Sequence, residues 1–136
     1  MSDQNIYLPY LMRIAAITEE APGVKTFRLE FVDEAQGQAF EFRTGQFGLY
    51  SAFGEGESTF CIASSPTRKG YIECTFREVG RVTASLADKE VGDIVGFRGP
   101  YGNVFPLDDW KGRNLVFIAG GIALPPMRSV IWNCLD

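Results

Sequence analysis

The sequence predicts a mainly β protein: a six-stranded antiparallel barrel with one short helix, followed by the first strand–helix unit of an α/β domain. Three observations carry that expectation. Short hydrophobic runs recur at close spacing from Tyr10 to Arg98, separated by turns. Eleven Phe and fifteen Gly suit strands and tight turns better than a helical bundle. Finally, Leu115 to Ala119 (LVFIA) runs into Gly120-Gly121 and a helix-like stretch, Pro125 to Trp132.

The elements follow in order. Residues 1–9 are polar and read as a loose lead-in. Tyr10 to Glu19 is a strand, ended by the Ala21-Pro22-Gly23 turn. Val24 to Val32 is the clearest strand, with Phe27, Leu29 and Phe31 on one face and Arg28 and Glu30 on the other. Asp33 to Gln38 is a polar connection. Phe47 to Ser51 is a short strand, Gly54 to Glu57 an acidic turn, and Thr59 to Ala63 the next strand. Tyr71 to Glu78 alternates Ile72, Cys74 and Phe76 with polar neighbours. Thr83 to Asp88 reads as a short helix with Thr83 as its N-cap. Ile94 to Arg98 is the last barrel strand, and Pro106 to Arg113 is a polar linker. Leu115 to Ala119 is apolar on both faces, as in a strand inside a parallel sheet. The sequence thus divides into a β-barrel domain over 1–107 and the incomplete start of a nucleotide-binding domain over 114–136.

Composition narrows the chemistry. The net charge is −4, so there is no basic field for nucleic acid or an anionic membrane. Any phosphate must be held locally, by backbone N–H groups and one or two arginines. There is no histidine, which excludes Ser-His and Cys-His nucleophiles, a histidine base and His-ligated zinc. Cys61, Cys74 and Cys134 are odd in number and far apart, so no disulfide framework, metal site or iron–sulfur site is expected. With no signal peptide and no run of about 20 apolar residues, a cytoplasmic location is expected.

Three segments carry the functional signal. The first is Ser58-Thr59-Phe60-Cys61-Ile62-Ala63-Ser64-Ser65-Pro66. The second is Gly80-Arg81-Val82-Thr83-Ala84-Ser85-Leu86, a glycine turn opening a helix, which presents free N–H groups to an anion. The third is Gly99-Pro100-Tyr101-Gly102-Asn103-Val104-Phe105, followed by Ala119-Gly120-Gly121-Ile122-Ala123-Leu124-Pro125-Pro126-Met127-Arg128-Ser129. Read alone, the first is also a core strand with a buried Phe and Cys, and the second an ordinary capped helix. Together, in this order, they resemble the ferredoxin–NADP reductase superfamily. The resemblance covers about Tyr10 to Asp136. It lies nearest the gamma subunits of cytoplasmic hydrogenases and sulfhydrogenases and the electron-transfer subunit of dihydroorotate dehydrogenase.

The resemblance implies a Greek-key FAD-binding barrel and a ligand set. Phe60 takes the position whose aromatic packs on the flavin ring, and Cys61 that of the serine near flavin N5. Cys61 is the one catalytic candidate. Ser58 replaces the arginine that binds flavin phosphate, while backbone groups of Ile62 and Ala63 meet the ring's polar edge. Gly80, Arg81, Val82 and Thr83 align with the pyrophosphate turn. Gly120 and Gly121 open the pyridine-nucleotide domain, with Ala123 in place of its third glycine. The implied activity is that of an oxidoreductase, an electron-transfer flavoprotein module. It passes electrons between NAD(P)H, FAD and an iron–sulfur partner of a hydrogenase-type complex. The competing reading is a flavin-free barrel serving as an interaction or regulatory subunit. Residues 114–136, an unfinished unit, are expected to be disordered or docked on another copy.

Overall fold

The computed structural model describes residues 5–136; residues 1–4 of the expected lead-in lie outside the described residues. Six strands form one antiparallel sheet: β1 (Tyr10–Ala21), β2 (Val24–Phe31), β3 (Phe47–Ala52), β4 (Gly56–Cys61), β5 (Tyr71–Arg77) and β6 (Ile94–Tyr101). Their order across the sheet is β4-β3-β6-β1-β2-β5. The strands follow the alternation in the sequence. Phe27, Leu29 and Phe31 turn inward and are buried, while Arg28 and Glu30 stay outside. The interior is filled by Met12, Ile14, Phe27, Leu29, Ile62, Ile72, Phe76, Val95 and Phe97, all at most 1% exposed. Each such side chain contributes about 1.5–3 kcal/mol on leaving water.

The sheet curls until its two edge strands meet. A single antiparallel bridge, Ile62 opposite Cys74, joins the end of β4 to β5. The Ala63 N–H donates to the Glu73 carbonyl at 2.7 Å, and the Glu73 N–H donates to Ser64 Oγ at 3.1 Å. Back along β4 towards Gly56, no ladder joins β4 to β5 among the described residues. The barrel is therefore closed at one end of this seam and open along the rest, about 17 Å of strand at the usual rise.

Three helices complete the chain. α1 (Glu34–Ala39) stands where a plain connection was expected; the Asp33 carboxylate accepts from the N–H groups of Ala35 and Gln36 and caps it. α2 (Arg81–Ala87) begins two residues earlier than the sequence suggested. Its N-cap is Gly80, and Thr83 is the third helical residue, not the cap. A 3₁₀ turn, Leu107–Trp110, lies within the expected linker. α3 spans Leu124–Leu135, with Pro125 and Pro126 in its first turn, where a missing N–H costs nothing.

Two expectations about the C-terminal part are corrected. Leu115 to Ala119 forms no strand: it is without ladder bonds, and Val116 and Ile118 are 85% and 84% exposed. A strand exists only through a neighbour's N–H and C=O groups, and none lies beside it. The expectation for 114–136 changes in its second half, where α3 docks on the barrel of its own chain. Ser129 and Val130 are buried against it. The Ser129 hydroxyl donates to the Ser64 carbonyl at 2.7 Å, Arg128 reaches Glu73 at 2.6 Å, and Arg68 grips the Asp136 carboxylate at 3.0 and 3.1 Å.

Candidate functional site

The seam is built from the edge of β4. Strand residues alternate their backbone groups between the two sides. The Ile62 N–H donates to the Gln46 carbonyl on the β3 side, and the Ala63 N–H to Glu73 on the β5 side. By that alternation the N–H and C=O groups of Thr59 point into the open seam, while the Cys61 carbonyl, at the closed end, faces Thr75 across the Ile62–Cys74 bridge. A strand edge without a ladder, with the half-buried Phe60 at its lip, fits a flat ring with polar edges. The amides of Ile62 and Ala63, expected at such a ring, are already engaged by Gln46 and Glu73.

The side chains of β4 divide between its faces. Ser58 and Phe60 lie opposite Tyr50 and Gly48 and face inward. Phe60 is half-buried at the lip of the seam, packed on Tyr50 at 5.6 Å and on Phe76 of β5 at 5.6 Å. Cys61 lies opposite Phe47 on the outer face and is half-buried, and burial pushes its thiol pKa up. It is therefore a neutral S–H, a weak donor and not a nucleophilic thiolate.

α2 closes the open end. It follows directly on β5 and touches the start of β4, where a Cβ on Gly56 would lie 3.3 Å from Val82. The Thr83 hydroxyl accepts from the N–H groups of Val79 and Gly80, both at 2.9 Å, and donates to the Gly80 carbonyl at 3.0 Å. This is half of a capping box. Glycine has no side chain to return the other half, so the N–H groups of Arg81, Val82 and Thr83 take no protein acceptor among the described residues. Such donors, at the positive end of the helix, suit an anion. The Thr83 hydroxyl is committed to its own turn, and the Arg81 guanidinium is paired with Glu55.

Gly120 and Gly121 form an exposed turn, with Gly121 at φ 59°. Gly121 lines a cavity of about 290 Å³ with Glu20, Val24, Thr75, Arg77 and Arg128, over the outer face of β5. The sequence did not reveal that Arg128, Ser129 and Asp136 all fasten to Ser64–Glu73, the segment that continues from β4 into β5. Arg128 and Ser129 stood in a recognised motif, but their partners lie 55 and 65 residues away.

Among the described residues no group of three metal-binding side chains is found, and no helix is long and apolar enough to cross a membrane. Residues 12–105 match the family described as "Oxidoreductase FAD-binding domain". The chain is 42% identical over 132 residues to "Sulfhydrogenase 2 subunit gamma" of Pyrococcus furiosus, covering 97% of this chain and 46% of that one. It is 32% identical over 124 residues to "Probable dihydroorotate dehydrogenase B (NAD(+)), electron transfer subunit" of Methanocaldococcus jannaschii, covering 90% and 42%. The chain thus spans about half the length of these curated relatives. The fold is shared with an Amycolatopsis cytochrome P450 reductase, at TM-score 0.77 and 22% identity over 93% of this chain and 38% of that one. Phthalate dioxygenase reductase shares it at TM-score 0.69 and 16% identity, over 89% and 38%.

Proposed function

The chain belongs to the oxidoreductase FAD-binding domain family, and from that premise we propose that it holds FAD along the β4–β5 seam. There it serves as the flavin half of an NAD(P)H-linked electron-transfer protein whose acceptor is an iron–sulfur partner, in the cytoplasm. The observation that carries this reading is the open seam itself, with the β4 edge at Thr59 leading to the uncapped amides of Arg81, Val82 and Thr83. When bound, FAD supplies the chemistry that joins two-electron hydride acceptance to single-electron release. The chain's own residues bind, orient and exclude water. Phe60 offers an apolar face to the ring, and the β4 edge meets its polar rim. The Cys61 S–H is a weak donor beside the reacting edge, and the α2 amides neutralise the diphosphate. No side chain has to act as a strong acid or base, which agrees with the missing histidine. Ser58, inward-facing opposite Tyr50, takes no phosphate role in this reading.

The nicotinamide donor and the iron–sulfur acceptor are inferred from the kinds of protein the chain resembles, one a sulfhydrogenase subunit and another an electron-transfer subunit. Gly120 and Gly121 belong to the dinucleotide side of the arrangement. The purified protein titrated with FAD and with riboflavin tests the core of the proposal. FAD is expected to bind more tightly, because only it has a diphosphate for the α2 amides. Equal affinity would remove the phosphate site. A colourless protein that cannot be reconstituted would favour the flavin-free interaction module.

A further inference from the structure

One buried group plays no part in the site as described. Tyr50 lies on the inner face of β3 opposite Ser58 and is 1% exposed. Its ring packs on Phe60 at 5.6 Å and on Phe97 at 5.1 Å. The layer is shaped around these rings: a Cβ on Gly48, opposite Phe60, would come within 2.0 Å of the Phe97 ring. Yet the Tyr50 hydroxyl is fully buried and has no hydrogen-bond partner among the described residues. A buried hydroxyl without a partner destabilises the fold, and a phenylalanine would fill the same space without that penalty. The cost is compensated if the hydroxyl has a partner in the working state.

The surroundings indicate where that partner sits. The Tyr50 ring packs on Phe60 of β4, which in turn packs on Phe76 of β5 across the seam. Burial raises the Tyr50 pKa well above its ordinary value, so the group is a neutral O–H donor. Ser58, directly opposite Tyr50 in the β3–β4 ladder, carries a hydroxyl of shorter reach.

We infer that the Tyr50 hydroxyl is a hydrogen-bond donor kept for the flavin ring at the seam, reaching a ring oxygen or nitrogen directly or through one bridging water. This rests on the reading that FAD occupies the seam, and it adds a specificity-determining residue on a neighbouring strand that no seam motif contains.

Tyr50→Phe tests it, since the ring and its packing on Phe60 are kept and only the hydroxyl is removed. Three quantities are measured: the melting temperature without flavin, the FAD dissociation constant by fluorescence quenching, and the visible spectrum of bound FAD. The variant is expected to melt at or above the wild-type temperature, to bind FAD about five- to tenfold more weakly, and to show shifted flavin bands. FAD affinity and spectrum equal to wild type would overturn the inference while leaving the seam reading intact. A variant that melts clearly lower would overturn it as well, because the hydroxyl would then have a partner within the barrel itself. Wild-type protein that binds no FAD would overturn the seam reading and this inference together.

Discussion

At the scale of single residues, Phe60 and Gly80 occupy the two ends of the seam for opposite reasons. Phe60 is a large ring at the lip, half in the core and half available, so it serves packing and ligand at once. Phe60→Ala is expected to lower folding stability by about 1.5–3 kcal/mol, less than a fully buried Phe→Ala. It should also weaken FAD binding through the loss of about 0.5–1.5 kcal/mol of stacking. Urea melts and FAD titration check the two parts separately; unchanged FAD affinity would remove Phe60 from the ligand set. Gly80 contributes by what it lacks. Its φ of −165° is extended backbone that any residue adopts, and a Cβ there meets nothing within 4 Å. Gly80→Asp should therefore fold normally and cap α2 with its own carboxylate. The same carboxylate would take the amides and repel a phosphate. FAD affinity is expected to fall at least tenfold, by about 1.4 kcal/mol or more, with riboflavin affinity little changed. An equal loss for both ligands would argue against phosphate at α2.

At the scale of elements, the docking of α3 is decided by polar contacts around a small apolar patch. The Asp136 carboxylate receives the Arg68 guanidinium at 3.0 and 3.1 Å and the Thr67 hydroxyl, and Arg68 also lies 4.4 Å over the Trp132 ring. Hydrogen bonds from Arg68, then from Thr67, hold the Asp136 carboxyl below its ordinary pKa. A carboxylate whose folded pKa is depressed contributes stability above its unfolded pKa and loses it as pH falls through the folded value. Docking of α3 should accordingly be full at neutral pH and weaken as pH drops below the usual aspartate range near 3.9. Asp136→Asn should remove that pH dependence and speed amide exchange in α3 at neutral pH, with β1–β6 unaffected. Exchange of α3 unchanged by pH or by the substitution would show that Ser129 and Val130 suffice.

At the scale of the whole molecule, the barrel is self-contained while residues 111–122 are exposed throughout. Within that stretch Val116 and Ile118 present apolar side chains to solvent, beside backbone groups that no strand pairs. Such a segment invites a second chain. The 136-residue chain is therefore expected to self-associate with rising concentration, seen by size-exclusion with light scattering. A Val116→Lys and Ile118→Lys double variant should stay monomeric and keep its FAD affinity. A wild-type chain that remains monomeric across concentration would show that the exposed stretch is not adhesive.

Much of this was legible in the sequence, and the limit is physical. The six barrel strands were readable because alternation along a strand and the glycine and proline turns between strands are local properties. The aromatic of β4 and the glycine opening α2 were readable because motif spacing is local too. Three features depend on residues distant in the chain. The seam exists because the sheet curls until Ile62 meets Cys74, leaving the rest of β4 without a ladder to β5, and no run of residues states where a ladder stops. Leu115 to Ala119 has the composition of a buried strand, but strand structure resides in a partner's hydrogen bonds. The anchoring of α3 joins Ser129 to Ser64 and Asp136 to Arg68 across the barrel surface. By itself the sequence determined which elements can form; only the tertiary structure decided which edges stay open, since pairing is a property of two segments and not of one.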